Sequence, residues 1–159
     1  MIILVMGVSG SGKTSVGQAL AHRRGCSFTD ADSFHPKTNR DKMAAGIPLT
    51  DEDRLPWLRA LGVAIRTAII GGRDHVFACS ALKADYRRIL DPRGECKLVY
   101  LQGSPELLAE RLAGRSGHFF DPALLQSQLD TLEEPEDATV VDIAEPLSTI
   151  VQSLMMMLS

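Results

Sequence analysis

The sequence predicts an α/β fold in three layers, with a parallel β-sheet at the centre and helices on both of its faces. Two observations support this prediction. Ile2–Met6 is an uninterrupted apolar run followed by glycine, the pattern of a central parallel strand covered on both sides. After it, short apolar runs alternate with longer segments of helical periodicity to the end of the chain. That alternation is expected of successive β–α–β units.

Five strands are predicted: Ile2–Met6 and the segments CSFTDAD, HVFACSA, CKLVYL and ATVVDI. The first helix, SVGQALAHRR, has apolar residues at helical spacing and ends at Gly25, a favourable residue just beyond a helix. A polar stretch follows the second strand, and its middle, residues 39–45, is predicted to form a short helix ended by Gly46.

A long helix is predicted over about residues 55–70, with aspartates and Pro56 near its start and a glycine pair after its end. In the segment DPALLQSQLDTLE, Asp121 is expected to cap a helix whose first residue is Pro122. The other helices are predicted in KADYRRIL, PELLAERLAG and EPLSTIVQSLMMML.

Length, charge and cysteine content narrow the classes of protein to consider. The 159 residues suit one domain, 1–159, that buries about two-thirds of its unfolded surface. A net charge of −3 does not indicate a nucleic-acid partner. Three widely spaced cysteines without a CxxC pair fit a reducing compartment. The first apolar run is too short for a secretory leader or a membrane span, so a cytoplasmic protein with no membrane partner is expected.

The segment GVSGSGKTS, residues 7–15, has the spacing of a phosphate-binding loop between a strand and a helix. Its glycines let backbone N–H groups surround a phosphate, Lys13 can reach the β- and γ-phosphates, and the Thr14 hydroxyl suits Mg²⁺. The sequence therefore predicts binding of ATP and Mg²⁺. The predicted nucleotide-binding residues are Gly7, Ser9, Gly10, Ser11, Gly12, Lys13, Thr14 and Ser15.

Carboxylates after the second strand favour a small-molecule kinase over a GTPase or a motor ATPase. The third strand ends in Cys79 and Ser80 rather than an aspartate, and the chain has no Asn-Lys-x-Asp pattern. Asp32 is the predicted catalytic base, which would orient an acceptor hydroxyl and take its proton. Asp30 is a candidate second-shell group of the Mg²⁺ site, and capping of a turn is the alternative for either aspartate.

Two arginines in ERLAGRSGHFF are predicted to act in catalysis as part of a mobile lid over about residues 111–130. Arg111 and Arg115 would share one helical face if the helix continued that far. There they could neutralise charge on the transferred phosphoryl group, and Arg115 is also predicted to contact the nucleotide. The alternative is a solvated helix end at which cations are favoured.

Four segments outside the loop closely resemble gluconokinases, small kinases related to shikimate kinase: DADSFHPKTNRDKMAAGIPLTDEDRLPWL, CSALKADYR, GHFFDPALLQSQLDTLEEP and VVDI. The resemblance covers nearly the whole chain. It implies a P-loop kinase fold with strand order 2-3-1-4-5, ATP- and Mg²⁺-dependent phosphorylation of D-gluconate to 6-phosphogluconate, and a homodimer. The alternatives are a kinase for another small hydroxy acid, such as shikimate, and a non-catalytic nucleotide-binding module.

A polyol with one carboxylate needs a cation and several hydrogen-bonding groups, which are expected over about residues 32–60 and beyond. A structural role is the alternative for His35, and a solvated helix charge is the alternative for Lys42. Residues 126, 128, 133 and 134 could support the lid, and the sequence does not choose among them. The predicted substrate-binding residues are Asp32, His35, Lys42, Arg54, Lys83, Arg87 and His118.

Overall fold

The structure is a computed structural model that describes residues 1–115 and 121–159. Five strands form one parallel sheet in the order β2-β3-β1-β4-β5. This confirms the predicted fold class and the strand order that the resemblance implied. The strands are β1 Ile2–Met6, β2 Ser27–Asp30, β3 His75–Ala78, β4 Lys97–Gln102 and β5 Thr139–Asp142.

Helices connect the strands at the positions that the sequence pattern indicates. A 3-10 turn over Ala31–Phe34, which the sequence analysis did not predict, follows β2. In the described part of the chain, no helix has both the length and the apolar character that crossing a bilayer requires. The helices are α1 Lys13–Arg24, α2 Lys37–Ala44, α3 Asp51–Gly71, α4 Ala84–Leu90, α5 Pro105–Ala113, α6 Pro122–Thr131 and α7 Leu147–Met157.

Alternation along β1 divides the core between the two faces of the sheet. Ile3 and Val5 pack with α1, α5, α6 and α7. Ile2, Leu4 and Met6 pack with α3 and α4 on the opposite face. Because successive strand residues point to opposite faces, an unbroken apolar run is the requirement for a strand buried on both.

Helix α3 begins four residues before the predicted start because Thr50 and Asp53 form a capping box. The Asp53 backbone N–H donates to Thr50 Oγ1 at 3.1 Å, and the Thr50 N–H donates to the Asp53 carboxylate at 3.0 Å. These bonds satisfy groups that a helix start leaves unpaired. They also fix the direction in which the first turn of α3 presents its charged side chains.

Candidate active site

The phosphate-binding loop lies between β1 and α1, at the carboxyl edge of the sheet. Gly10 and Gly12 have φ angles of 84° and 89°, in the left-handed region that favours glycine. A Cβ atom on Gly10 would lie 2.9 Å from Leu112 Cγ. Gly12 caps α1 without a side-chain hydrogen bond, so the first N–H groups of this helix remain available to an anion.

Lys13 and Ser11 fit the binding of phosphate oxygens in this loop. Lys13 Nζ donates to the Val8 carbonyl at 3.1 Å, which holds the side chain back along the loop. Burial lowers the pKa of Lys13, and the carboxylate of Asp32 opposes that shift. Ser11 is buried, and its Oγ has no hydrogen-bond partner among the described residues. A phosphate would supply the negative charge and acceptor atoms that these groups lack.

Thr14, Asp30 and Asp32 connect the start of α1 to the end of β2. Thr14 Oγ1 donates to Asp30 Oδ2 at 2.9 Å, and the Asp32 backbone N–H donates to Asp30 Oδ1 at 3.0 Å. Asp30 thus caps the 3-10 turn while it also contacts the predicted Mg²⁺ residue. Hydroxyl and carboxylate oxygens beside a phosphate loop suit Mg²⁺, which takes few protein ligands and several from phosphates and water.

No group of three or more His, Cys, Asp or Glu side chains is arranged to hold a metal ion in residues 1–115 and 121–159. Magnesium is commonly bound by one or two protein carboxylates together with substrate phosphates and water, so a phosphate-transfer site does not require such a cluster.

A cleft of about 370 Å³ opens beside the loop and joins the predicted nucleotide and acceptor residues. Lys13 and Ser9 lie at its loop side, and Asp32 projects into it without a side-chain hydrogen bond to the described residues. The pKa of Asp32 is raised, first by the loss of hydration within the cleft and then by the neighbouring charge of Asp30, while Lys13 lowers it. A raised pKa increases the affinity of Asp32 for a proton, as a general base requires.

His35 and Trp57 form an aromatic wall of the cleft. Their ring centroids are 4.1 Å apart, with 16° between the ring planes. Trp57 Nε1 donates to the Ala31 carbonyl at 2.7 Å, so the indole also anchors the turn that carries Asp32. Trp57 therefore positions two residues of the site, His35 and Asp32.

Arg54 lines the cleft from the first turn of α3. Its Nη1 donates to the Tyr86 hydroxyl at 3.2 Å, and that hydroxyl donates to the carboxylate of Asp51. Lys83 Nζ lies 3.0 Å from the same carboxylate. Arg54 therefore has no carboxylate partner among the described residues. A cation that binds an anionic acceptor needs to be unpaired in this way.

The opposite part of the lining is apolar. Four apolar residues from the end of α2 and the segment after it line the cleft, and two of them are large and exposed. They are Met43, Ile47, Pro48 and Leu49.

Three predicted substrate-binding cations do not line this cleft, because each is engaged elsewhere. Lys42 Nζ lies 3.0 Å from the Asp53 carboxylate, and Lys83 binds Asp51. Arg87 donates to the carbonyls of Ala81, at 2.8 Å, and Glu133, at 3.0 Å. These contacts place the three side chains away from the lining of the cleft, and their roles at the substrate stay predictions.

The two predicted lid arginines lie in different surroundings, because α5 ends at Ala113 and the shared helical face does not form. Arg115 lines the cleft and is close enough to Lys13 to lower its pKa. Arg111 donates to the Ile143 carbonyl instead, although its Nη1 would lie 4.0 Å from a Cβ placed on Gly12. His118, another predicted substrate-binding residue, lies outside the described residues.

Among the residues that the sequence left open as supports of the lid, Gln128 contacts the phosphate-binding loop. Gln128 of α6 accepts a hydrogen bond from the Ser9 backbone N–H at 2.7 Å and donates to Ser9 Oγ at 2.8 Å. Glu133 instead accepts from the Ala84 N–H, and Glu134 accepts from the Tyr100 hydroxyl. Because Gln128 and Ser9 are 119 residues apart, no local sequence signal could identify this pair.

Comparison with known proteins agrees with this geometry. The family model described as shikimate kinase matches residues 9–145. A probable gluconokinase of Dictyostelium discoideum is 44% identical over 168 residues, covering 97% of this chain and 84% of that protein. The thermoresistant gluconokinase of Escherichia coli strain K12 is 42% identical over 157 residues, covering 96% of this chain and 90% of its own.

A crystal structure of a gluconokinase from Sinorhizobium meliloti 1021 superposes with a TM-score of 0.86 at 48% identity, covering 94% of this chain and 86% of that one. A shikimate kinase from Bacteroides thetaiotaomicron superposes with a TM-score of 0.71 at 18% identity, which shows the shared fold alone. The chain therefore belongs to the shikimate kinase family and, within it, to the gluconokinases.

Proposed function

We propose that this protein is an ATP-dependent gluconokinase, which transfers the γ-phosphoryl group of ATP to the terminal hydroxyl of D-gluconate and forms 6-phospho-D-gluconate. One observation carries the proposal. A single cleft is lined by Lys13 of the phosphate loop, by Asp32 and by Arg54. A phosphate-binding cation, a proton acceptor and a carboxylate-binding cation are the groups that this reaction requires.

When bound, ATP provides the phosphoryl group and Mg²⁺ offsets the charge of its phosphates. In the reaction, the terminal hydroxyl oxygen of the acceptor forms a bond to the γ-phosphorus while the bond from that phosphorus to the β–γ bridging oxygen breaks. The hydroxyl proton passes to the Asp32 carboxylate, and ADP leaves. Thr14 and Asp30 are the residues that would hold the metal ion, from the contacts described above.

The chain's own side chains divide this work between the two ends of the cleft. Lys13 binds the transferred phosphoryl group, and Arg115, which lines the same cleft, adds positive charge there. Arg54 binds the acceptor carboxylate, which places the opposite, hydroxyl end of the acceptor toward Asp32. His35 contacts a hydroxyl group between these ends. The segment over about residues 111–130 acts as a lid that excludes water during transfer.

Three less direct proposals complete this assignment. We infer a homodimer from the resemblance, and we infer a cytoplasmic location and no nucleic-acid or membrane partner from the cysteine content, the short first apolar run and the net charge of −3. Sedimentation measurements would test the oligomeric state.

The function is tested by ADP release with D-gluconate, shikimate, glycerate and AMP as acceptors, together with Mg²⁺. We expect turnover with gluconate and a product that carries phosphate on its terminal hydroxyl by ³¹P NMR. Asp32→Asn should lower kcat by about 10²- to 10⁴-fold and leave ATP binding nearly unchanged, since only proton transfer and acceptor orientation are lost.

Asp41→Asn is the matched control, because Asp41 is an exposed carboxylate that pairs with Lys37 on the surface of α2. It should retain wild-type turnover. Turnover with AMP but not with gluconate would refute the substrate assignment, and near-normal turnover of Asp32→Asn would remove Asp32 from the role of base.

A further inference from the structure

His35 and Asn39 form a buried polar pair at the edge of the cleft. Their exposed fractions are 6% and 2%, and together with Ser11 they are the buried polar residues in the described part of the chain. Asn39 lies one helical turn after His35, in the first turn of α2. A buried amide and a buried imidazole have little access to water, so the hydrogen bonds between them determine their state.

The orientation of the Asn39 amide follows from its contact with α3. Asn39 Nδ2 lies 2.8 Å from the backbone carbonyl oxygen of Asp53. A carbonyl oxygen only accepts, so the amide nitrogen must face it. Asp53 is itself fixed by the capping box and by Lys42, whose Nζ is 3.0 Å from its carboxylate.

The second hydrogen of the same amide nitrogen reaches His35. Asn39 Nδ2 lies 3.2 Å from His35 Nδ1. Because Nδ2 is a donor in both contacts, His35 Nδ1 must accept and carries no proton. The proton of the neutral ring is then on Nε2, the ring nitrogen that Asn39 leaves available to a ligand in the cleft that His35 lines.

The surroundings of the ring keep it neutral. His35 stacks on Trp57, and the guanidinium groups of Arg54 and Arg40 are its charged neighbours. Burial and then these two charges lower the pKa of His35 to about 4. The ring therefore stays in one neutral form throughout the physiological pH range.

We propose that Asn39 is a positioning residue that fixes His35 as an Nε2–H donor, and that this donor selects an acceptor substrate with a hydroxyl oxygen at that point of the cleft. The inference rests on the proposed function for the identity of the acceptor. The assignment of the ring nitrogens rests on the contacts of the ligand-free protein alone. A substrate without that hydroxyl would leave Nε2–H buried and unpaired, which disfavours its binding.

The first test is long-range ¹H–¹⁵N NMR of the ligand-free, ¹⁵N-labelled protein, which identifies the protonated nitrogen of each imidazole. The chain has four histidines, and His35→Gln identifies the signals of His35 by their loss. We expect Nε2–H in the wild type. In Asn39→Asp the carboxylate can only accept, so Nδ1 should become protonated. A proton on Nδ1 of His35 in the wild type would by itself overturn the proposal.

The second test separates positioning from general structural support. Asn39→Asp should raise KM for the acceptor at least about tenfold, equivalent to the loss of one hydrogen bond to a ligand, with KM for ATP unchanged. Among the monodeoxy analogues of gluconate, one should have a kcat/KM about 10- to 100-fold below that of gluconate with the wild type. With His35→Phe, the same analogue should differ much less from gluconate. An unchanged acceptor KM, or equal losses for both proteins with every analogue, would refute the proposal.

The kinetic test of the function and the NMR test of the ring nitrogens can each be negative without affecting the other. If the wild type does not phosphorylate gluconate, the proposed function is wrong, while the ring-nitrogen assignment is still read from the ligand-free spectrum. If gluconate is phosphorylated and the wild-type ring carries its proton on Nδ1, the function stands and the role of Asn39 is wrong.

Discussion

Gly10→Ala should destabilise the protein through two separable effects at the phosphate-binding loop. The φ angle of 84° costs a non-glycine residue about 1–2 kcal/mol. The added Cβ would also lie 2.9 Å from Leu112 Cγ and 3.3 Å from the Leu108 carbonyl oxygen. Such overpacking costs about 1–3 kcal/mol. We therefore expect a total loss of about 2–5 kcal/mol in the free energy of unfolding.

Gly94→Ala is the matched control for the backbone effect. Gly94 has a φ angle of 66°, and a Cβ placed on it would meet no atom within 4 Å. Gly94→Ala should therefore lower the free energy of unfolding by about 1–2 kcal/mol. Urea denaturation of both variants measures the difference, which is the contribution of the contact with α5. A Gly10→Ala variant no less stable than Gly94→Ala would refute the reasoning.

The clash predicts coupling between Gly10 and Leu112. In a Leu112→Ala background the nearest atoms are removed, so the additional cost of Gly10→Ala should fall toward the value for Gly94→Ala. In the otherwise wild-type protein, Gly10→Ala should also raise KM for ATP, because the displaced loop moves its N–H groups from their binding positions. Strictly additive losses in the double variant would show that the contact does not contribute.

Two further predictions concern stability. His35 titrates near pH 4 in the folded protein and near 6.5 when unfolded, so the unfolded state binds its proton first as pH falls. Protonation of this group should thus lower the free energy of unfolding by up to roughly 3 kcal/mol between those pH values. Urea midpoints measured across this pH range should fall less for His35→Gln than for the wild type, whereas the exposed-site control His22→Gln should fall as much as the wild type. Equal falls for all three proteins would contradict this prediction. Gln128→Ala removes two hydrogen bonds to Ser9 and should lower the free energy of unfolding by about 1–3 kcal/mol. Gln126→Ala removes one surface contact with Asp130 and should lower it by about a few tenths of a kcal/mol. Thermal unfolding compares these two variants, and similar losses would mean that the Ser9 contacts add nothing.

The features predicted correctly from the sequence depend on local patterns. A loop with fixed glycine spacing, an apolar strand before it and a carboxylate after the next strand are each contained in a few consecutive residues. The position of Asp32 beside Lys13 then follows from the parallel sheet, since the carboxyl ends of β1 and β2 lie at one edge.

The features that the sequence did not provide depend on partners distant in the chain. A lysine is recognisable as a cation, but whether it faces a substrate depends on whether a carboxylate reaches it first. Lys83 forms an ion pair with Asp51, 32 residues away, whereas Arg54, three residues after Asp51, has no such partner among the described residues. The early start of α3 had a local signal, Thr50 followed by Asp53, which is a capping box with a shorter acid than usual.

The division of the cleft into a hydrogen-bonded wall and an apolar one has a consequence for redesign of acceptor range. Asp51 and Asp53 brace neighbouring segments through Lys83 and Lys42, so replacing either would disturb several supports at once. Met43 and Ile47 line the cleft and are exposed apolar side chains. Changes in their size can enlarge or narrow the chamber at little expense to the fold, which makes this side the natural starting point for mutant libraries aimed at longer or shorter sugar acids.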